Sequence, residues 1–461
     1  MTKASIQFIK FYSRGILVKR SNPILVTVGV LALLTISLFQ TVTAEGASVA
    51  KKSPACKKAN LVSVYNPAGV LEDGTYVDDM LKKRMAEAGK TKPPMAGQFP
   101  KSKIEEVCIK DDAFTEINTL FYKRGWSDGL PVVPPTVDRV RAMLKGSDLD
   151  PDYVVSAIDP VGGQATIEKI AVNAVMAGCR PEYMPVLIAA VEAVMDPNVN
   201  LRGMASTTSP DVPLLIINGP IAGQLEINSG SNALGRGSRA NSTISRALNL
   251  IIQNVGGSWV GITDMSTLGQ PADFSNMLAE NEAASPWGPL HVELGFQKND
   301  NVVTVVGVEP YHTIMGLGHT AEGFMRIIAD HLIGSDRPYQ STMVLLITKD
   351  TAQMMARNRW TKEGIREYID KNARMPLSKV KEKFLDNGTA SVLGGIPSWV
   401  YEAKDQNMMI PAPFIGQLHI IVAGGTGEKS ALFPGWLGSK SASKKIRLPS
   451  NWDEMLERAE K

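Results

Sequence analysis

"VPLLIING", residues 212–219, is apolar on both alternating faces until Asn218 and Gly219 end it. A strand that shows neither face to water lies inside a sheet covered on both sides, the habit of parallel sheets. Working outward, strands and helices alternate. Upstream, "PDYVVSAIDP" (151–160) reads as a strand stopped by Pro160. "GGQATIEKIAVNAVMAG" (162–178) reads as a glycine turn and a helix running from a Thr166 cap to a Gly178 stop. Downstream, "STISRALNLIIQNVGG" (242–257) is a helix closed by Gly256 and Gly257, and "NVVTVVGVEP" (301–310) is a strand. "TAEGFMRIIADHLIG" (320–334) is a helix, while "TMVLLITKD" (342–350) and "LHIIVAGGTG" (418–427) are strands. This alternation predicts an α/β fold: a layered, largely parallel sheet with flanking helices. "TIEKIAVNAVMAG" and "TISRALNLIIQNVG" echo one another, each starting Thr-Ile and ending in Gly, which admits two related halves with a subdomain break near 285–300.

The composition is globular, with 461 residues, 44% hydrophobic and 21% charged. The net charge of +3 is unevenly placed, because Lys3, Lys10, Arg14, Lys19 and Arg20 all precede Glu45, the first acid. The remaining body is slightly acidic, which excludes an electrostatic case for nucleic-acid binding. The basic head leads into the uncharged "ILVTVGVLALLTISLF" (24–39) and then into small residues at Val42 and Ala44. That order describes an export signal cleaved after Ala44. The alternative is an uncleaved anchor over 24–42, the one membrane contact of an otherwise extracytoplasmic protein. The expected organisation is therefore a signal or anchor over 1–44, an extended linker over 45–113 and an α/β domain over 114–461. Of the three cysteines, Cys56 and Cys108 are candidates for a disulfide, and Cys179 sits among apolar residues as a small buried hydrophobe.

Candidate chemistry concentrates in "SNALGRGSRANSTISRALNL", 231–250. Its glycines permit turns that aim amides inward, Asn241 can start a helix, and Arg236, Arg239 and Arg246 add forked donors. The set suits a small anion. A dinucleotide fingerprint is rejected, since Gly235 does not end the preceding strand. "VAGGTGEKS" (422–430) places Gly424 and Gly425 at a strand end, but Glu428 between Gly427 and Lys429 breaks the phosphate-loop pattern. "DPVGGQAT" (159–166) is a third glycine turn. Turns near 160, 235 and 425 are expected to converge at one sheet edge. His319, before a helix, is the candidate proton carrier, with Asp128 and Asp159 assisting and Trp126 beside Asp128 in a rigid loop. No histidine spacing is a zinc signature, and a metal site built from Asp159, Glu293 or His291 has no motif behind it. No serine-nucleophile motif is present, and no cofactor or oligomeric state is named.

"GWSDGLPVVPPTVDRVRAML" (125–144), "AVMAGCRPEYMPVLIAAVEAV" (174–194), "RWTKEGIREYI" (359–369) and "HIIVAGGTGEKS" (419–430) together resemble the C-terminal domain of UGSC-motif (seleno)proteins over roughly residues 115–435. That family is described as thiol or selenol redox on the strength of a Sec/Cys-Gly-Ser-Cys motif. This chain contains no such motif, so the redox label does not transfer. The resemblance implies a module that occurs without it, with Trp126, Asp128, Arg239, Asn241, His319, Gly424 and Gly425 facing a ligand.

The leading expectation is an exported enzyme acting on a small anionic or carbonyl-bearing molecule. Arg236, Arg239 and the Asn241 helix start would orient it, and His319 with Asp128 or Asp159 would move the proton. The alternatives are an envelope solute-binding or accessory protein, and a thiol redox protein using Cys179.

Overall fold

The computed structural model describes residues 60–87, 103–316, 320–334, 341–385, 398–411, 415–436 and 439–459. The export signal, Ala44, the alternative anchor and Cys56 lie outside the described residues. No helix among those described is long and apolar enough to cross a membrane.

Part of the stretch expected to be a linker is structured. β1 (Leu61–Tyr65) pairs antiparallel with β2 (Ile104–Cys108), and α1 (Val77–Glu87) lies between them in sequence. A few side chains (Val64, Val77 and Leu81) are enough to anchor it by burial. So small a set leaves no readable period among the Lys, Pro and Gly around it. The segment covers two buried charges. Lys169 donates to the Asn66 carbonyl at 2.6 Å, and burial pushes its pKa down to about 8. Burial likewise raises the Asp78 carboxyl to about 6. Cys108 is disulfide-bonded, and Cys179 is free and buried.

Next come α2 (Ala113–Lys123), α3 (Val137–Leu144), the antiparallel hairpin of β3 (Val154–Ile158) and β4 (Gly163–Thr166), α4 (Ile167–Ala177), α5 (Met184–Val194) and the short α6 (Leu201–Met204). The ends of α4 fall where the sequence puts them. Thr166 caps the Lys169 amide, and Gly178 takes the left-handed conformation at φ +88.

The remaining chain builds two sheets. It runs through β5 (Val212–Asn218), α7 (Ile221–Gln224), α8 (Arg239–Asn254), β6 (Met277–Ala279), α9 (Leu290–Glu293), β7 (Val302–Val308) and β8 (His312–Met315). After α10 (Ala321–Gly334), β9 (Ser341–Ile347), α11 (Lys349–Arg357) and α12 (Lys362–Asn372), a small ribbon of β10 (Arg374–Pro376) and β11 (Met409–Pro411) precedes β12 (Ile415–Val422), β13 (Lys429–Phe433) and β14 (Ala442–Lys445). One sheet has the order β14-β7-β5-β6, the other β12-β9-β13-β8. Parallel pairing is confined to β5 with β6 and β9 with β12 among the described strands, and every other pair is antiparallel. The largely parallel sheet expected from the sequence is thus corrected to mixed sheets. The reason lies in the layers. Leu215 and Ile217 of β5 pack with α4, α5 and α8, whereas Leu214 and Ile216 pack with Val344 and Leu346 of the other sheet. On the far side, Met343, Leu345 and Ile347 of β9 pack with α10, α11 and α12. A strand between a helix layer and a second sheet is apolar on both faces whichever way its neighbours run.

The two sheets follow one pairing plan. Starting from β6 or from β12, the pairs are parallel, antiparallel and antiparallel. In chain order, however, the fourth strands are exchanged. β8 follows β7 but pairs with β13, while β14 follows β13 but pairs with β7. This plan, rather than the α4 and α8 echo, is where the halves correspond, and α4 and α8 instead pack on each other in one core. Each half therefore lacks an edge strand that the other supplies. Dividing the chain after Gly316 is expected to give two pieces that fold only together. Circular dichroism and gel filtration of each piece alone should show loss of structure or aggregation, with recovery on co-expression. A monomeric, folded 317–461 piece would contradict the exchange.

Candidate functional site

One helix positions the candidate sites. α8 starts where the Ser238 hydroxyl accepts from the Asn241 amide, and its apolar side, with Ile244, Leu248 and Ile251, is buried against the sheet. Its polar stripe is Arg246, Asn249 and Gln253, spaced i, i+3 and i+7 on one face. Arg246 grips Asp128 with both fork nitrogens, at 2.6 and 2.8 Å, and also donates to the Pro131 carbonyl at 3.0 Å. Gln253 donates to the carbonyls of Gly125 and Ser127 at 2.9 and 3.2 Å. Asn254 reaches the Trp126 carbonyl at 3.0 Å. The 125–131 loop is therefore pinned onto α8 by three side chains of that helix, Arg246, Gln253 and Asn254.

Beneath that loop lies a cavity of about 490 Å3, walled by Leu201, Met204, Ile252 and Trp259 and flanked by Tyr122 and Phe274. Asp128, Asp211, Asp264 and Asp273 face it. Asp264 is half-buried, and desolvation holds its carboxyl above the usual aspartate range, partly offset by the Ser266 amide on Oδ1. Asp273 stands at the exposed rim. Desolvation raises its carboxyl too, the neighbouring Asp264 charge adds to this, and the Gln270 amide on Oδ2 opposes it. A carboxyl whose neutral form is favoured by desolvation, facing apolar walls, is placed to exchange a proton with a bound group.

A second, more open cavity of about 600 Å3 lies at the other end of α8, between Arg180, Tyr183, residues 222–230 and residues 237–240. The two cavities differ in sign. The N-terminal one has arginines and the positive end of a 16-residue helix, and the other has carboxylates near the negative end.

The structure distributes the residues singled out from the sequence. Arg239 lines the N-terminal cavity, with its guanidinium on the Gly178 carbonyl at 2.9 and 3.1 Å, and Arg236 is exposed nearby. Asn241 lies in the first turn of α8, whose cap is Ser238. It is buried, with Oδ1 accepting from the Asn228 amide and Ser238, and Nδ2 donating to the carbonyls of Asn228, Ala233 and Met277. Asp128 lines the acidic cavity with its charge matched by Arg246. Trp126 is core, edge-on to Phe121 with centroids 5.1 Å apart and with Arg124 stacked over its ring. Asp159 pairs with Arg202 at 2.8 Å. His319 lies outside the described residues.

Two of the three glycine turns meet. Gly424, at φ +95, donates to the Ser229 carbonyl at 2.9 Å, and Gly425 has no room for a Cβ beside Ser231. The turn after Asp159 lies at the opposite end of α8, where the Val161 amide donates to the Gly256 carbonyl. Convergence of all three turns at one edge is thus corrected, because α8 separates them. The residues weighed for a metal are also scattered. Glu293 pairs with Lys362 and Arg366, Asp159 with Arg202, and His291 is buried with Nε2 against the Lys298 carbonyl. Among the described residues no three His, Cys, Asp or Glu side chains are grouped to hold a metal. Cys179 donates its thiol to the Thr243 carbonyl, and burial pushes its pKa up to about 12.

Asp264 and Asp273 escape motif reading because "GITDMSTLGQPADF" (261–274) matches no pattern. The available signal is length. Some twenty residues between α8 and β6 hold only a single 3-10 turn, and loops that long in compact domains tend to carry function.

No family model matches the chain, and comparison with the curated proteins yields no match.

The Arg246 and Asp128 fork holds the cavity roof. Arg246→Met should lower the unfolding free energy by roughly 2–4 kcal/mol, since it strands a mostly buried carboxylate. Adding Asp128→Asn should cost less than the sum of the single changes in urea unfolding. Strictly additive losses would show that the two side chains are not coupled.

Proposed function

We propose that this protein is an enzyme that binds a small carbonyl-bearing molecule in the cavity beneath the 125–131 loop, with Asp264 as its acid–base group. The observation that carries the proposal is a half-buried carboxyl, raised by desolvation, facing a cavity of about 490 Å3 with mainly apolar walls. In this reading the apolar walls take the body of the substrate and strip its water. Protonated Asp264 donates to the carbonyl oxygen through Oδ2, the oxygen not engaged by Ser266. Desolvation by the surrounding walls favours the neutral form of Asp264 until substrate arrives. Export by residues 1–44 belongs to the same proposal and would place the chemistry outside the cytoplasm.

The second reading is a small anion held at the N-terminus of α8, favoured by the cavity that Arg180 and Arg239 line there. It fits binding better than turnover, because Arg180 and Arg239 offer fixed cationic donors to an anion. The high pKa and burial of Cys179 support no redox role for that thiol.

The test uses a panel of small carbonyl compounds and of small anions, scored by thermal shift on the whole protein. Carbonyl compounds should stabilise the wild type and lose that effect in Ser266→Trp, which fills the acidic cavity. For a compound that is turned over, Asp264→Asn should cost about 10²–10⁴ in kcat with affinity kept. Carbonyl binding untouched by Ser266→Trp, or turnover untouched by Asp264→Asn, would overturn the proposal. Stabilisation by anions alone, lost in Arg239→Ala, would replace it with the second reading.

A further inference from the structure

Outside the lining of either cavity, at the second sheet, two imidazoles meet. His312 is exposed on β8, the edge strand of that sheet, and His331 is half-buried in the last turn of α10. Nδ1 of His312 and Nε2 of His331 are 2.8 Å apart, and the rings stand edge to face with centroids separated by 4.9 Å. Each ring projects from a regular element, so their spacing is set by the backbone of strand and helix rather than by a loop.

We propose that His312 and His331 form a two-histidine site for a divalent transition metal of tetragonal or octahedral preference, with water filling its remaining positions. Imidazole nitrogens about 2.0 Å from a metal and 90° apart as seen from it lie about 2.8 Å from each other, whereas tetrahedral ligands lie about 3.3 Å apart. The observed separation fits the first arrangement, that of copper(II) or nickel(II), without movement of β8 or α10. The hydrogen bond already requires one ring nitrogen to present a bare lone pair to the other. Binding requires the donor ring to change tautomer, its shared proton passing to solvent while its remote nitrogen takes one up. A small rotation of each ring then turns both lone pairs onto the metal. The exposure of His312 gives the ion and its waters a way in.

The experiment is a copper(II) titration of tag-free, metal-stripped whole protein, followed by calorimetry and electron paramagnetic resonance. The proposal expects one equivalent bound with a spectrum showing two nitrogen ligands. His312→Gln and His331→Gln should each weaken that binding by at least about tenfold, a single imidazole losing the chelate. Circular dichroism checks that both variants fold, and because His312 is exposed, its variant keeps the test usable if the other does not. Absence of saturable binding below millimolar copper, or binding and spectrum unchanged in the variants, would overturn the site and leave the pair as a hydrogen bond only.

Discussion

The carboxamide of Asn241 uses its full hydrogen-bonding capacity inside the protein, and the placement of α8 depends on that. Its two acceptor positions take the Asn228 amide and the Ser238 hydroxyl, and its amino group ties the Asn228, Ala233 and Met277 carbonyls together. One buried side chain thus joins the start of α8, the glycine-rich loop before it and the edge strand β6. With that end fixed, the polar stripe of α8 meets the 125–131 loop in register, and Arg246 closes on Asp128. The helix then separates two cavities of opposite electrostatic character. Partners left unmet at Asn241 would cost on the order of 1–3 kcal/mol each, so the loop and helix are expected to move as one unit.

The exchanged edge strands give the scaffold a matching rigidity. β5 and β9 are the buried centres of their sheets, and the space between the sheets is filled by alternate residues of both. Because β8 and β14 cross to the opposite sheet, neither sheet is completed by one continuous half of the chain. The carboxyl ends of the two parallel pairs are brought side by side, and the Asn281 amide after β6 donates to Val422 at the end of β12. This is where the 424–427 bend meets residues 229–231, as the glycine content of both segments suggested.

Local signals were legible in the sequence, and pairing was not. The Thr166 cap, the Gly178 stop and the buried runs in β5, β7, β9 and β12 all follow from residue type and spacing. The direction of β7 does not, because an apolar run is the same whether its covered neighbour is parallel or antiparallel. For the same reason the strand exchange leaves no trace in composition. At the sites, the arginines and Asp128 were visible as charge at a glycine-rich turn, but their partners were not. Arg246 and Asp128 spend their charge on each other across 118 residues. Asn241 reads as a helix start and is instead the core of the loop. Asp264 becomes notable only through burial, which no local pattern encodes.

The central claim is that Asp264 is a desolvated carboxyl facing a ligand cavity. Its pKa is higher folded than unfolded, so its proton stabilises the fold fully below the unfolded value. That contribution is lost as pH rises through the folded value. Carbon-13 NMR titration of the aspartate carboxyls in the whole protein, with Asp264→Asn for assignment, measures this directly. The account predicts a midpoint for Asp264 above the usual aspartate range, and a raised midpoint for Asp273 that falls when Asp264 is changed to Asn. An Asp264 midpoint at or below that range would contradict it.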